Sequence, residues 1–150
     1  MPDVNRRSSA ITEVPAASPE EALAHFSALL RFETDCWDVH EAMATGTQDF
    51  VLLDVRGPGP FEREHIPGAV NLPYARMVER NLAGYPEETL FVIYCAGTHC
   101  NATEKAAVRL AKLGRPFKKL IGGVEGWRDE GFDLVGRIAS SSPALSDPGP

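Results

Sequence analysis

The chain has 150 residues, the length of one domain with an ordinary core. Hydrophobic residues make up 43% and charged residues 24%, the balance of a soluble globular protein, and the formal net charge is −6. That charge argues against a nucleic-acid partner, which needs clustered Lys and Arg. No apolar run reaches the length of a membrane span, so no membrane partner is expected. Arg6 and Arg7 are not followed by the apolar stretch of a secretory signal, and the expected compartment is the cytoplasm.

In chain order, residues 1–17 read as a disordered tail, with Ser, Ala, Pro and Thr mixed from Ser8 to Ser18 without periodicity. Residues 18–31 hold an N-terminal helix. Ser18 is its N-cap, Pro19 its first residue, and Glu21 completes a capping box. Leu23, Phe26, Leu29 and Leu30 follow at helical spacing. Residues 32–138 form the main domain. It opens with a short strand at Phe32–Thr34 and a helix capped by Asp35 that ends near Gly46. The apolar runs Phe50–Val55 and Leu90–Tyr94 read as strands buried on both faces of a parallel sheet.

Val70–Leu72 is a shorter strand, stopped by Pro73. Asn101 to Lys112 reads as a helix with Asn101 as N-cap and Gly114 as its stop. A last strand, Phe117–Ile121, is followed by a glycine-rich turn and a short helix, Gly126–Glu130. Residues 139–150 form a second disordered tail. The alternation of strands and helices gives an α/β fold.

The three cysteines, Cys36, Cys95 and Cys100, are an odd number and too few for a disulfide scaffold. Their spacing forms no zinc pattern, and no metal or cofactor is expected. Cys95 directly follows a buried strand and precedes a helix by one short loop. In open α/β sheets, ligands bind outside the carboxyl ends of strands. The backbone N–H groups of Ala96, Gly97, Thr98, His99, Cys100 and Asn101 are candidates for binding an anionic substrate as a nest. With the helix N-terminus behind them, they favour the thiolate, the nucleophilic form of cysteine.

The segment Leu53-Asp54-Val55-Arg56, with Phe61-Glu62 and His65-Ile66-Pro67-Gly68-Ala69, resembles the first signature of the rhodanese family. Tyr94-Cys95-Ala96-Gly97-Thr98-His99-Cys100-Asn101 is similar to its active-site loop, and Gly122-Gly123-Val124-Glu125-Gly126-Trp127 to its closing signature. The resemblance spans about residues 32–135. It implies a five-stranded parallel sheet with helices on both faces. It also implies a sulfurtransferase in which Cys95 attacks a sulfane sulfur, becomes a persulfide and passes the sulfur on. The implied partners are a small sulfur-donor anion or persulfide and a thiol or protein acceptor. The six-residue loop favours sulfur over the larger anions handled by related phosphatases and arsenate reductases.

Members that use thiosulfate often carry Arg or Lys in this loop, and here it has neither, which leaves Arg56, Lys105 or Arg128 as cations that could reach its mouth. Asp54 and Arg56 read as supporting residues that brace adjacent loops through an ion pair, and His65 as loop packing. His99 either binds substrate or is an exposed loop side chain. Cys100 reads as a small apolar residue turned into the helix–sheet interface, with a resolving thiol as the alternative. Cys36, Trp37 and Trp127 read as packing residues. Two other function classes stand beside the enzyme: a non-catalytic binding module, and a redox protein cycling a Cys95–Cys100 disulfide.

Overall fold

The computed structural model describes residues 7–138, so the expected tail at 139–150 and the first six residues of the other lie outside the described residues. The chain divides between Arg31 and Phe32 into two units. In the first, α1 (Ala10–Glu13) is one helical turn in a stretch expected to be irregular. Ser9 explains it: its hydroxyl accepts from the N–H groups of Ile11 and Thr12, and the Thr12 hydroxyl closes a capping box. The turn buries nothing. The helix α2 (Pro19–Phe32) starts at the expected capping box, with Glu21 N–H on Ser18 Oγ at 3.1 Å and Ser18 N–H on Glu21 Oε1 at 3.2 Å.

The second unit is built on five strands: β1 (Glu33–Thr34), β2 (Val51–Asp54), β3 (Val70–Asn71), β4 (Phe91–Tyr94) and β5 (Phe117–Leu120). Their order is β1-β5-β4-β2-β3 and every pairing is parallel, the sheet that the resemblance implies. Between them run α3 (Cys36–Ala44), α4 (Pro58–Arg63), a 3-10 turn at Tyr74–Arg76, α5 (Glu79–Leu82), α6 (Ala102–Lys112) and α7 (Gly123–Asp129). The segments α4 and α5 were not expected. They hold only 6 and 4 residues, too few for a helical period to show. The last helix starts at Gly123 rather than Gly126, because two successive positive-φ glycines, Gly122 and Gly123, turn the chain directly into it.

β4 is central and wholly buried, and its side chains alternate between two layers. Phe91, Ile93 and Cys95 join Leu53, Val55, Leu82, Ala106 and Leu110. Val92 and Tyr94 join Cys36, Val39, Leu52, Val124 and Trp127 on the opposite face. Each such fully buried apolar side chain contributes about 1.5–3 kcal/mol of transfer free energy. The helix α6 buries a stripe of Thr103, Ala106 and Leu110. It ends as expected at Gly114, whose φ of 73° lets the Gly114 N–H reach Ala111 O and the Arg115 N–H reach Leu110 O. Arg115 is itself buried and donates to the carbonyls of Leu82, Tyr85 and Pro86, which ties down the segment after α5.

Trp127 packs as expected, with its indole N–H on Asp133 O at 2.9 Å. Trp37 does not: it is 59% exposed and only leans on Phe132, because the buried side of its short helix is taken by Cys36 and Val39. Cys36 lies under the start of α7, its thiol donating to the carbonyls of Ile121 and Gly123. Burial pushes it up from 9.0 to about 11, with Asp35 and Glu130 adding to the shift. The unfolded thiol loses its proton near pH 9 and the folded one near pH 11, so in that window the folded chain holds a proton that the unfolded chain has lost. Stability is therefore expected to fall by on the order of 2 kcal/mol as pH rises through the window, with no effect below it. Urea titrations between pH 8 and pH 11 check this. Cys36→Ala flattens that part of the fall, and an equally steep fall in the variant would reject the assignment.

Candidate active site

Cys95 is the first residue beyond β4, and residues 95–100 carry the chain from the carboxyl end of the central strand to α6. Its side chain continues the strand's alternation, so it is buried in the layer of Ala106 and Leu110. The thiol donates to Cys100 O at 3.3 Å and, more weakly, to Gly97 O at 3.9 Å.

The glycine-rich segment before Trp127 clamps this loop through the backbone. The Val124 N–H donates to Cys95 O at 3.1 Å and the Glu125 N–H to Ala96 O at 2.9 Å. Gly123 makes the contact possible: its φ is +56°, and a Cβ there would stand 2.2 Å from Cys95 O. Within the loop, the Cys100 N–H closes a turn on Gly97 O at 3.1 Å. A Cβ at Gly97 would meet Glu125 Oε1 at 2.5 Å, which places the Glu125 carboxylate against the loop.

The titrations of the two loop thiols depend on each other. Burial holds Cys95 above its ordinary value, although the Thr103 hydroxyl and N–H both stabilise its thiolate. Burial also acts upward on Cys100, but hydrogen bonds from Cys95 and from the N–H groups of Ala102 and Ala96 bring it below its ordinary value. The loop and helix amides, expected to favour the Cys95 thiolate, leave it above its ordinary value. They are divided between two sulfurs, and Cys95 rests as a thiol because it faces an apolar layer and two carbonyl oxygens. Cys100 does pack on that layer, as expected, and its carbonyl oxygen takes the Cys95 thiol hydrogen bond.

Asn101 occupies the N-cap position without making a side-chain cap. Its φ and ψ of −97° and 14° are not the extended pair that aims a capping oxygen. The first-turn N–H groups of Ala102 and Thr103 address the two sulfurs instead. Thr98 is exposed, and Ala96 is half-buried beside the clamp. His99 is 65% exposed and lies 3.6 Å from Glu125 Oε1, a weak surface pairing rather than a contact with Cys95.

The expected brace is present. Arg56 grips the buried Asp54 carboxylate with Nε at 3.0 Å and a terminal nitrogen at 2.7 Å, and also donates to Glu64 O. Asp54 pairs in register with Tyr94, so the brace sits beside the residue that precedes Cys95. His65 packs, as read: it stacks on Phe61 and bonds Phe61 O at 2.7 Å. Of the cations considered for the mouth, Arg56 is held by Asp54, Arg128 is paired with Glu64, and Lys105 lies over the Tyr74 ring at 5.3 Å.

Sequence reasoning missed Thr103, Glu125 as a loop neighbour, and Lys119, which pairs with Glu104 at 2.6 Å and feels the charge of Cys95. Thr103 carried a usable signal. It is the one polar member of a buried stripe (Thr103, Ala106, Leu110), in the first turn after the loop.

A buried thiol at the carboxyl end of the central strand of a parallel sheet, with a short loop leading into a helix, defines an α/β protein of the cysteine-loop type. The chain belongs to the rhodanese-like domain family, whose model matches residues 38–130. It is 34% identical over 118 residues to the HTH-type transcriptional regulator Rv0324 of Mycobacterium tuberculosis, covering 78% of this chain and 46% of the regulator. It is 33% identical over 82 residues to the thiosulfate sulfurtransferase GlpE of Coxiella burnetii, covering 54% of this chain and 74% of that protein. A solved structure, the BH2092 protein of Bacillus halodurans, superposes with a TM-score of 0.78 at 31% identity, covering 86% of this chain and 100% of that one. The chain spans less than half the length of several curated relatives it matches. Sulfurtransferases are thus among its relatives at modest identity. Among the described residues, no helix is long and apolar enough to cross a membrane.

Proposed function

We propose that the protein is a sulfurtransferase that carries a sulfane sulfur as a persulfide on Cys95. The observation that supports this best is the placement of the Cys95 sulfur. It lies at the strand end, with a hydroxyl and an N–H from Thr103 directed at it and a backbone clamp fixing its loop. Deprotonated Cys95 attacks the outer sulfur of a donor. With thiosulfate, the S–S bond breaks, sulfite leaves with the electron pair, and Cys95 becomes the persulfide. An acceptor thiolate then takes the outer sulfur and returns Cys95 as thiolate. Burial keeps the thiolate fraction of Cys95 low while the Thr103 hydroxyl and N–H act to raise it, so loading is expected to quicken as pH rises.

The donor class follows from charge. Loop residues 95–100 hold no Lys or Arg, and Arg56 and Arg128 are already paired with carboxylates. A dianion such as thiosulfate meets amide dipoles in the loop, with Lys119 nearby already paired with Glu104, whereas a thiol persulfide brings less charge to the loop. Thiosulfate, 3-mercaptopyruvate and glutathione persulfide, compared by intact mass, test this. Glutathione persulfide is expected to add one sulfur, about 32 Da, at least about tenfold faster than thiosulfate, the worth of one charge-assisted hydrogen bond. Equal or faster loading by thiosulfate would reject the donor assignment. A second reading, a module that binds partners with little turnover, draws on the cation-free loop and on the similarity to a named regulator. It is the reading left if no donor adds mass to Cys95.

A further inference from the structure

The loop holds a second thiol that sulfur transfer to an external acceptor does not require. Cys100 closes the loop five residues after Cys95, half-buried and packed on the same apolar layer. Its carbonyl oxygen accepts from the Cys95 thiol at 3.3 Å, so the loop folds Cys100 back onto Cys95, and the two thiols influence each other's titration. The loop that joins them is pinned at both ends. Cys100 N–H is held by Gly97 O, while the carbonyls of Cys95 and Ala96 are held by the start of α7. Both cysteines thus sit on one short, fixed loop, and a disulfide between them needs their sulfurs brought to about 2.05 Å. The amides of Ala96 and Ala102 favour the thiolate at Cys100, the form that attacks.

Resting on the persulfide reading above, we propose that Cys100 is a resolving nucleophile that converts the Cys95 persulfide into a Cys95–Cys100 disulfide and releases sulfide. The persulfide's inner sulfur is the Cys95 sulfur, which lies 3.3 Å from Cys100 O. Attack there breaks the bond between inner and outer sulfur, and the outer sulfur leaves with the electron pair as hydrosulfide. Attack on the outer sulfur only moves the persulfide to Cys100 and back, a reversible exchange that keeps the sulfane sulfur on the loop, whereas attack on the inner sulfur releases it.

The balance is Cys95–S–SH plus Cys100–S⁻ giving Cys95–S–S–Cys100 plus HS⁻. The outer sulfur is reduced to sulfide, and the two cysteine sulfurs end as a disulfide. Two equivalents of a small thiol, or one dithiol, then reduce the disulfide and reset the loop. The cycle turns one sulfane sulfur and two thiols into one sulfide and one disulfide. A thiolate on the same six-residue loop competes well with any acceptor that must first diffuse in.

The test treats the native chain, Cys100→Ala, Cys100→Ser and Cys95→Ser with one equivalent of glutathione persulfide, followed by rapid desalting. Intact mass, released sulfide and a non-reducing peptide map are read over time. The native chain is expected to gain about 32 Da, then fall to about 2 Da below the dithiol, with one sulfide released per chain and Cys95 cross-linked to Cys100. Both Cys100 variants hold the added sulfur at least about tenfold longer and release sulfide only when an external thiol is supplied. A native chain that keeps the added 32 Da as long as Cys100→Ser overturns the inference while the persulfide reading stands. So does sulfide release without the cross-link. A native chain that neither gains about 32 Da nor loses about 2 Da overturns the persulfide reading itself. The native peptide map decides the question even where a Cys100 variant does not fold.

Discussion

Replacing Cys95 by serine is expected to lower sulfur loading from any donor by at least about 10³-fold, a barrier increase of about 4 kcal/mol. A serine hydroxyl at this position keeps the size and the hydrogen bonds to Cys100 O and Gly97 O, so the loop is expected to keep its shape. What it loses is the chemistry: an alkoxide is not reachable near neutral pH and forms no persulfide. The site has no imidazole to compensate, since His99 faces solvent beside Glu125 and His65 is stacked on Phe61. Intact-mass analysis of the variant with each donor gives the answer. If Cys95→Ser still gains one sulfur, the nucleophile lies elsewhere, and Cys100 is the first place to look.

Gly123→Ala is expected to lower sulfur loading by about 10²-fold and destabilise the domain by on the order of 2–4 kcal/mol. The added Cβ would stand 2.2 Å from Cys95 O and 3.0 Å from its carbonyl carbon, both backbone atoms that cannot swing aside. Either the loop or the start of α7 must move, and the hydrogen bonds from Val124 and Glu125 to the loop go with it. The φ of +56° adds strain for any residue with a Cβ. Gly59→Ala is the matched control. Its Cβ meets nothing within 4 Å, and it lies on exposed α4, so its effect is expected within about 0.5 kcal/mol and without change in loading. Urea unfolding and the loading rate check both variants, and a Gly123→Ala chain that loads as the native chain does would show the clamp to be dispensable.

The parts of the fold legible in the amino-acid order are those governed by local rules. The Ser18–Glu21 capping box, the Asp35 cap and the Gly114 stop each depend on residues within a few positions of one another. The buried strands Val51–Asp54 and Phe91–Tyr94 are continuous apolar runs, and apolar runs of that length alternating with helices lead to a parallel sheet. Cys95 was recognisable because a strand, a small-residue loop and a helix follow directly along the chain. The Asp54–Arg56 brace was recognisable for the same reason, its partners being two residues apart.

What escaped was everything set by residues distant in the chain. That α7 clamps the loop follows from Gly123 approaching Cys95 across the sheet. Arg115 is buried because three carbonyls after α5 converge on it. Trp37 is exposed because Cys36 and Val39 take the buried side of its helix.

The same division runs through the site. The residue order points to Cys95 as the candidate nucleophile, since it follows a buried apolar run and precedes a helix by one short loop. It does not settle the thiol's protonation, which depends on long-range burial and on where amide N–H groups aim once the chain is packed. That is why the loop amides, expected to activate Cys95, are found divided between Cys95 and Cys100. Hydrogen bonds act over about 3 Å, and which donor meets which sulfur is fixed only when β4, α6 and α7 close on one another.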